Sequence, residues 1–166
     1  MKQTLCARRH GFSAFELTIV VALLAVFVSL LADRLLEYQE RAEYENVRQT
    51  VALLQGALQV EAVNRVLRAP DTLAQLQQIN PMLLLAVPPN NYIGELDPGR
   101  ADNAAAGTWY FDQSSHQLVY RPARSRHVVS IHPERRLFYT VSVMRDGVPP
   151  RLFAVAFQPA VDNYWY

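Results

Sequence analysis

Few side chains in this sequence stand at the spacings that catalysis requires. Ser13 lies in the stretch Gly11-Phe12-Ser13-Ala14-Phe15, which lacks the second glycine of a nucleophile elbow. The sequence contains no phosphate-binding glycine loop and no Cys and His residues at the spacing of a zinc site. The only cysteine, Cys6, has no apolar segment before it, as a lipoprotein signal would require. The sequence therefore predicts a protein that is not an enzyme.

Two groups of side chains could bind a metal ion. Asp97, Asp102 and Asp112, with the carbonyl groups between them, could hold a hard cation such as calcium, which prefers oxygen ligands. His127 and His132 lie on and beyond a predicted strand, where sheet or surface histidines are the simpler interpretation. We predict no metal and no cofactor, with calcium at the three aspartates as the alternative.

Basic residues gather in the second half of the chain with one acid, Glu134, among them: Arg121, Arg124, Arg126, Arg135 and Arg136. Arginines beside aromatic residues can bind single-stranded nucleic acid. The simpler interpretation, which we adopt, is that these arginines are solvated loop residues. We therefore predict no nucleic-acid site and keep the five arginines as the alternative.

Glu16 is the only charged residue in a long apolar run. Residues 17–32 carry no charge, and from Phe12 the run extends over 21 residues. As a helix it would span roughly 30 Å, the thickness of a bilayer core. A carboxylate in the middle of a membrane costs about 2.5–3.5 kcal/mol, so a charge in such a run indicates a function and a partner.

The residues around this run resemble the N-terminus of type IV pilin and type II secretion pseudopilin precursors. A basic leader ends in Gly11, Phe12 follows, Glu16 lies four residues further on, and the apolar run continues. The family usually has Thr-Leu-Ile before the acid, and this chain has Ser-Ala-Phe at 13–15. The resemblance implies that a prepilin peptidase cleaves between Gly11 and Phe12 and methylates Phe12. It also implies that Glu16 is the assembly carboxylate.

The charge of the leader predicts the topology. Lys2, Arg8 and Arg9 precede the span, and the positive-inside rule keeps them in the cytoplasm. We expect a single-pass inner-membrane protein with a leader at 1–11, a transmembrane segment at 12–34 and a periplasmic globular domain at 35–166. An ordinary signal anchor, or a signal peptide cleaved near Ala32, is the alternative.

The net charge limits the class of partner. Loss of the leader takes the net charge from +1 to −2. A nearly neutral chain is not expected to bind polymers through bulk charge.

A long helix must carry these residues. From residue 35 to 69 there is no proline, and Pro70 is expected to end the helix. Apolar residues recur three and four apart in two rows, which predict a broad face packed on a sheet: Val47, Val51, Leu54, Leu58 and Ala62, then Leu53, Ala57, Val60, Val63 and Leu67. The charged residues before this face are expected to be solvated: Glu37, Glu40, Arg41, Glu43, Glu45 and Arg48.

The segment after the helix is expected to be irregular. Asp71 or Thr72 could cap a short helix that ends at Asn80-Pro81. Residues 82–87 form an apolar run that predicts burial, and residues 93–107 resemble a loop.

The remainder predicts antiparallel strands. Residues 108–111 and 117–120 flank a polar turn, which is typical of a hairpin. Further strands are expected at 127–131, 137–144 and 152–157, with a turn at Asp146-Gly147 and an aromatic tail at 162–166 that packs on the domain or contacts a partner. The predicted fold class is α+β: a long N-terminal transmembrane-to-periplasmic helix packed on a C-terminal antiparallel β-sheet, as in pilins.

The sequence thus predicts a structural subunit of a type II secretion pseudopilus or a type IV pilus. The partners that the resemblance implies are other pilin or pseudopilin subunits, prepilin peptidase, the inner-membrane assembly platform and membrane lipid. The alternative is a single-pass membrane-anchored periplasmic binding module that does not polymerise. Processing after Gly11 distinguishes the two, because only an assembling subunit needs the new amine.

Overall fold

The computed structural model describes residues 13–124, 127–129, 135–146, 151–160 and 164–165. The chain divides into two compact units, 1–39 and 40–166, so residues 35–39 of the predicted globular domain belong to the first unit. The described part is α+β, with helices α1 (Ala14–Arg68) and α2 (Pro98–Ala101) and strands β1 (Tyr92–Leu96), β2 (Thr108–Asp112), β3 (Gln117–Arg121), β4 (Val128–Val129), β5 (Leu137–Asp146), β6 (Arg151–Pro159) and β7 (Tyr164–Trp165).

Helix α1 is continuous over 55 residues, which confirms the long helix predicted from the absence of proline. Ser13 precedes it, and the Ser13 Oγ accepts a hydrogen bond from the Phe15 N–H at 3.3 Å, as an N-terminal cap does. Arg65 and Arg68 lie in its last turn, where cations interact favourably with the helix dipole. The helix ends two residues before Pro70, in agreement with the sequence.

The two apolar rows of α1 have different surroundings. Val47, Leu54, Leu58 and Ala62 of the first row are buried, and Val51 is partly buried against the same core. The second row is not buried as predicted, because Leu53, Val60, Val63 and Leu67 are each more than half exposed. A single sheet covers only one side of the helix, so the apolar face is wider than the contact that it makes.

The main sheet is mixed, which corrects the prediction that it is wholly antiparallel. Its strand order is β1-β2-β3-β5-β6, and β1 runs parallel to β2 while the other neighbouring pairs are antiparallel. The expected loop at 93–107 contains most of β1 and all of α2. The register of β1 shifts between Tyr92 and Glu95, around Gly94 with φ of +98°. The strand contains Gly94 and Glu95, two residues of low strand propensity, and this composition concealed it in the sequence.

The predicted hairpin is confirmed. Successive side chains of its two strands face opposite sides of the sheet and belong to two separate cores. Trp109 and Phe111 of β2 pair with Tyr120 and Leu118 of β3, and all four belong to the core that includes the buried row of α1. Tyr110 and Val119 face the opposite side, where Ala101 and Ala104 cover them. Strand β5 follows the same rule as predicted, with Leu137, Tyr139, Val141 and Val143 in the first core and Phe138 against the second.

The strand predicted at 127–131 lies in a different sheet from the one expected. Val128 and Val129 form β4, which pairs with β7 from the aromatic tail rather than with the main sheet. The Trp165 side chain packs against the first core, and the Tyr44 and Trp165 ring centroids lie 5.7 Å apart. His132, Gly147 and the tail residues 162–163 lie outside the described residues.

Two 3-10 helices replace the short helix expected after Pro70: Pro70–Gln77 and Pro81–Leu84. The predicted caps Asp71 and Thr72 lie inside the first, which is preceded by Ala69 without a side-chain cap. The Asn80 Oδ1 accepts from the Met82 N–H at 3.1 Å and caps the second. In the run 82–87 Met82 is fully buried, but Leu83 and Val87 are exposed, so the predicted burial holds only in part.

A side chain of α1 closes one edge of the main sheet. The Gln55 Nε2 donates to the Val155 carbonyl at 2.9 Å, and the Phe157 N–H donates to the Gln55 Oε1 at 2.5 Å. These two groups of β6 are the ones that a residue of a further parallel strand would engage. The carboxamide therefore takes the place of a strand at an edge that would otherwise be open to pairing.

Replacing Gln55 by Ala should destabilise the domain by about 1–3 kcal/mol, because two backbone groups beside buried Val155 and Phe157 lose their partner. The matched control is Gln59→Ala on the same helix, where Gln59 is exposed and the effect should stay within about 0.5 kcal/mol. Unfolding by urea, followed through tryptophan fluorescence, to which buried Trp109 contributes, measures both variants. Equal midpoints for the two variants would show that the edge does not need the carboxamide.

Candidate functional site

The first candidate site is the apolar start of α1, which is long and apolar enough to cross a membrane by length and composition. Within its described residues the most apolar window is wholly exposed. Glu16 lies in the first turn, is exposed, and has no hydrogen-bond or ion-pair partner among the described residues. Gly11 and Phe12, the predicted cleavage residues, lie outside the described residues. The described geometry therefore presents one carboxylate on an otherwise apolar helical surface.

A second group of acids lies at the start of the unit 40–166. Glu40 is only 5% exposed; its Oε1 accepts from the His127 N–H at 2.9 Å, and its Oε2 lies 3.0 Å from the His127 Nδ1. The Glu43 Oε1 accepts from the Tyr120 hydroxyl and from the Ala123 N–H, each at 2.7 Å. The Glu43 Oε2 accepts from the Arg124 N–H at 3.3 Å. Two carboxylates of α1 thus hold the segment that follows β3.

The electrostatics of these contacts follow from burial and hydrogen bonding. Burial raises the pKa of Glu40, but the hydrogen bonds from the His127 backbone and ring, the His127 charge and a bond to Trp165 together lower it below 4.5. Burial raises the pKa of Tyr120, and the hydrogen bond to Glu43 and the Glu43 charge raise it further. Tyr120 is therefore a permanent donor, and Glu40 is a permanent acceptor near neutral pH.

Two of the five predicted basic residues, Arg121 and Arg136, contact the same residue, Asp102, within the fold. The Arg136 side chain is 10% exposed; it donates to the Tyr110 hydroxyl at 3.1 Å and to the Asp102 Oδ1 at 3.2 Å. Arg121 donates to the Asp102 carbonyl at 3.2 Å and to the Ala104 carbonyl. These two arginines hold the turn after α2 against the sheet.

The other three arginines have different surroundings. Arg124 is partly buried, and Arg135 is exposed with φ of +50°. Arg126 lies outside the described residues. The structure therefore assigns an internal role to two of the five candidates.

The side chains of two of the three predicted calcium ligands, Asp112 and Asp102, are engaged in separate contacts. Asp112 accepts from the Ser114 N–H at 2.9 Å and from the Ser114 and Ser115 hydroxyls at 2.7 and 2.8 Å, which are contacts within its own turn. Asp102 pairs with Arg136, and Asp97 precedes α2. Across the described ranges, no three His, Cys, Asp or Glu residues are grouped so that they could hold a metal ion.

Sequence reasoning missed Glu40 and Glu43 because their neighbours in the chain gave no sign of burial. Both were expected to be solvated with the other charges at 37–48, an expectation that Glu45 does meet, because its side chain is 63% exposed. The signal that was available is their spacing, since residues i and i+3 lie on the same face of a helix. The partner segment 120–127 is about eighty residues away in the chain, so the pairing itself could not be predicted.

Glu40 should make stability depend on pH in the acid range. Its pKa is lowered in the folded state, so its contribution is present above the unfolded pKa of 4.5 and is lost as the pH falls through the folded value. Glu40→Gln should cost about 1–2 kcal/mol at about pH 7, and the cost should decrease as the pH falls below 4.5 towards the lowered pKa of the folded state. Denaturant unfolding across this pH range measures it, with Glu45→Gln as the exposed control. A difference between Glu40→Gln and wild type that stays constant with pH would contradict the assignment.

Comparisons of the chain with protein-family models, with curated proteins and with solved structures find no match. The similarity to pilin precursors therefore depends on the N-terminal residues described above. We infer the function from these residues and from the geometry of α1.

Proposed function

We propose that this protein is a structural subunit of a membrane-derived filament, of the type II secretion pseudopilus or type IV pilus class. The observation that carries the proposal is Glu16, an exposed carboxylate in the first turn of a helix whose next residues are apolar and exposed. In a bilayer such a charge needs a partner, and a second subunit can supply one.

The outer surface of α1 supports the same proposal. Val60, Val63 and Leu67 form an exposed apolar row on the part of α1 whose other side packs on the sheet. Monomeric proteins rarely expose an apolar row of this kind, whereas helix–helix packing between subunits would bury it. The arrangement of a long helix on a sheet is also the one that the pilin resemblance implies.

Cleavage after Gly11 supplies the charge that Glu16 needs. The new Phe12 amine would be a cation one helical turn before Glu16. In a filament the amine of an incoming subunit can meet the Glu16 of its neighbour, which converts a lone charge into an ion pair. Such a pair favours one axial stagger over others, so it sets register more than affinity.

The alternative is a membrane-anchored periplasmic binding module that does not polymerise. It would share the apolar span and the folded unit, but it would need neither the new amine nor Glu16. Processing and incorporation are therefore the two properties that separate the hypotheses.

The protein extracted from membranes should begin at a methylated Phe12. The basic leader and Gly11 provide the expected peptidase site. Methylation adds about 14 Da to the cleaved chain, and intact-mass analysis resolves this difference. Intact-mass and N-terminal analysis of the natural protein provide the measurement. A chain that keeps Met1, or one that begins near Asp33, would exclude the filament proposal.

Glu16→Gln should insert into the membrane and be cleaved as the wild type is, because removing a charge makes the span more apolar. Its incorporation into filaments should fall by about tenfold or more, because the amine of the neighbouring subunit loses its ion-pair partner. Co-purification with filaments at equal membrane levels measures this loss.

Two variants show whether charge or shape is responsible. Thr18→Val keeps the shape of a side chain close to Glu16 in the same span and should be incorporated normally. Glu16→Asp keeps the charge and should be incorporated better than Glu16→Gln. If Glu16→Gln enters filaments as well as Thr18→Val does, the carboxylate is not the determinant of assembly.

A further inference from the structure

A cleft of about 630 Å³ lies within the unit 40–166. Asn46, Gln49, Thr50 and Leu53 of α1 form one wall, at the spacing of a single helix face. The segment 85–91 forms the other wall, and buried Trp109 and Tyr120 form the floor. The volume is within the range of small-ligand sites. From residue 46 to 53 the helical wall is about 10 Å long, which matches about three extended residues.

The lining of the cleft is neutral. None of its lining residues, all of which are described, is Asp, Glu, Lys, Arg or His. The exposed carboxamides of Asn46, Gln49 and Asn90 have no hydrogen-bond partner among the described residues, and each can both donate and accept. A charged ligand would find no counter-charge here, whereas a ligand with alternating neutral donors and acceptors would find complementary groups.

The second wall adds neutral hydrogen-bond donors from the backbone. The N–H groups of Ala86 and Val87 find no hydrogen-bond acceptor within the described residues. The Val87 side chain is 79% exposed and that of Leu53 is 57% exposed, so each wall also presents an apolar surface. Free backbone N–H groups can bind the carbonyl groups of an extended peptide, and exposed apolar side chains beside them can contact its side chains.

Two other kinds of ligand fit less well. A sugar ring gains much of its affinity by stacking on an aromatic face, and the two rings of the lining, Trp109 and Tyr120, are only 1% and 3% exposed. A nucleic acid would need cations, and the lining has none. The chemistry of the walls favours a peptide over both.

We propose that this cleft binds an extended, uncharged peptide segment of a partner protein. The carboxamides of Gln49 and Asn90, with the N–H groups of Ala86 and Val87, bind the peptide backbone. Leu53 and Val87 contact an apolar side chain of the peptide. The proposal is independent of filament assembly, because the cleft lies within one subunit and does not involve Glu16.

The probe is a displayed library of random short peptides. The library is selected on the full chain in lipid nanodiscs, and empty nanodiscs serve for counter-selection. Enriched peptides should share about three consecutive uncharged residues, at least one of them apolar. Maltotriose, tested for binding to the same sample, provides the sugar probe. If no peptide is enriched, if the enriched peptides are charged, or if only maltotriose binds, the proposal is wrong.

Substitutions that keep the shape of a side chain but change its charge test whether the peptides bind in this cleft. Gln49→Glu and Asn90→Asp remove donors and place negative charge on opposite walls, and each should weaken binding of the selected peptides by about tenfold or more. Gln59→Glu is the matched control, since Gln59 is an exposed residue of the same helix that does not line the cleft. Circular dichroism confirms that the variants fold. Equal affinities for Gln49→Glu, Asn90→Asp and Gln59→Glu would overturn the proposal.

Discussion

The packing of one apolar row of α1 on one face of the main sheet is the contact on which the unit 40–166 depends. Leu54 and Leu58 are fully buried there, opposite the hairpin residues Trp109 and Tyr120, whose ring centroids lie 4.7 Å apart. Burial of side chains of this size contributes about 1.5–3 kcal/mol each. The polar contacts that α1 makes lie around this layer, and they hold one loop and one sheet edge against the helix.

The polar side chains of α1 extend that contact in three directions. Gln55 reaches the backbone of β6, Glu43 reaches the segment after β3, and Glu40 reaches the start of β4. Each side chain hydrogen-bonds to backbone groups that would otherwise need water as a partner. Water reaches a partly buried site poorly, so these hydrogen bonds matter for stability. The opposite edge of the sheet is managed differently, since β1 is short and its register shifts at Gly94. The helix is therefore a partner in hydrogen bonding as well as in apolar packing.

Much of this architecture could be predicted from periodicity and from proline. The length of α1, its buried row, the β2–β3 hairpin and the alternation of β5 follow from local patterns. The parallel direction of β1 beside β2 and the pairing of β4 with β7 are set by tertiary contacts, and no local pattern encodes them. The exposure of Leu53 and Val60 was missed for a related reason, because a periodic pattern shows that a face is apolar but not what covers it. The role of Glu16 stays a prediction, because the described residues of one chain contain no partner for its carboxylate.

The contacts of Glu40, Glu43 and Gln55 also determine where α1 can change in length. All three side chains point at fixed targets in the unit 40–166, and a helix turns by about 100° per residue. An inserted or deleted residue between Glu40 and Gln55 would rotate one set of contacts away from its target while the other stayed in place. The same change before Glu40 would leave all of them intact. The helix can therefore change in length in the segment that precedes Glu40, whereas the spacing from Glu40 to Gln55 is fixed by the targets of these side chains.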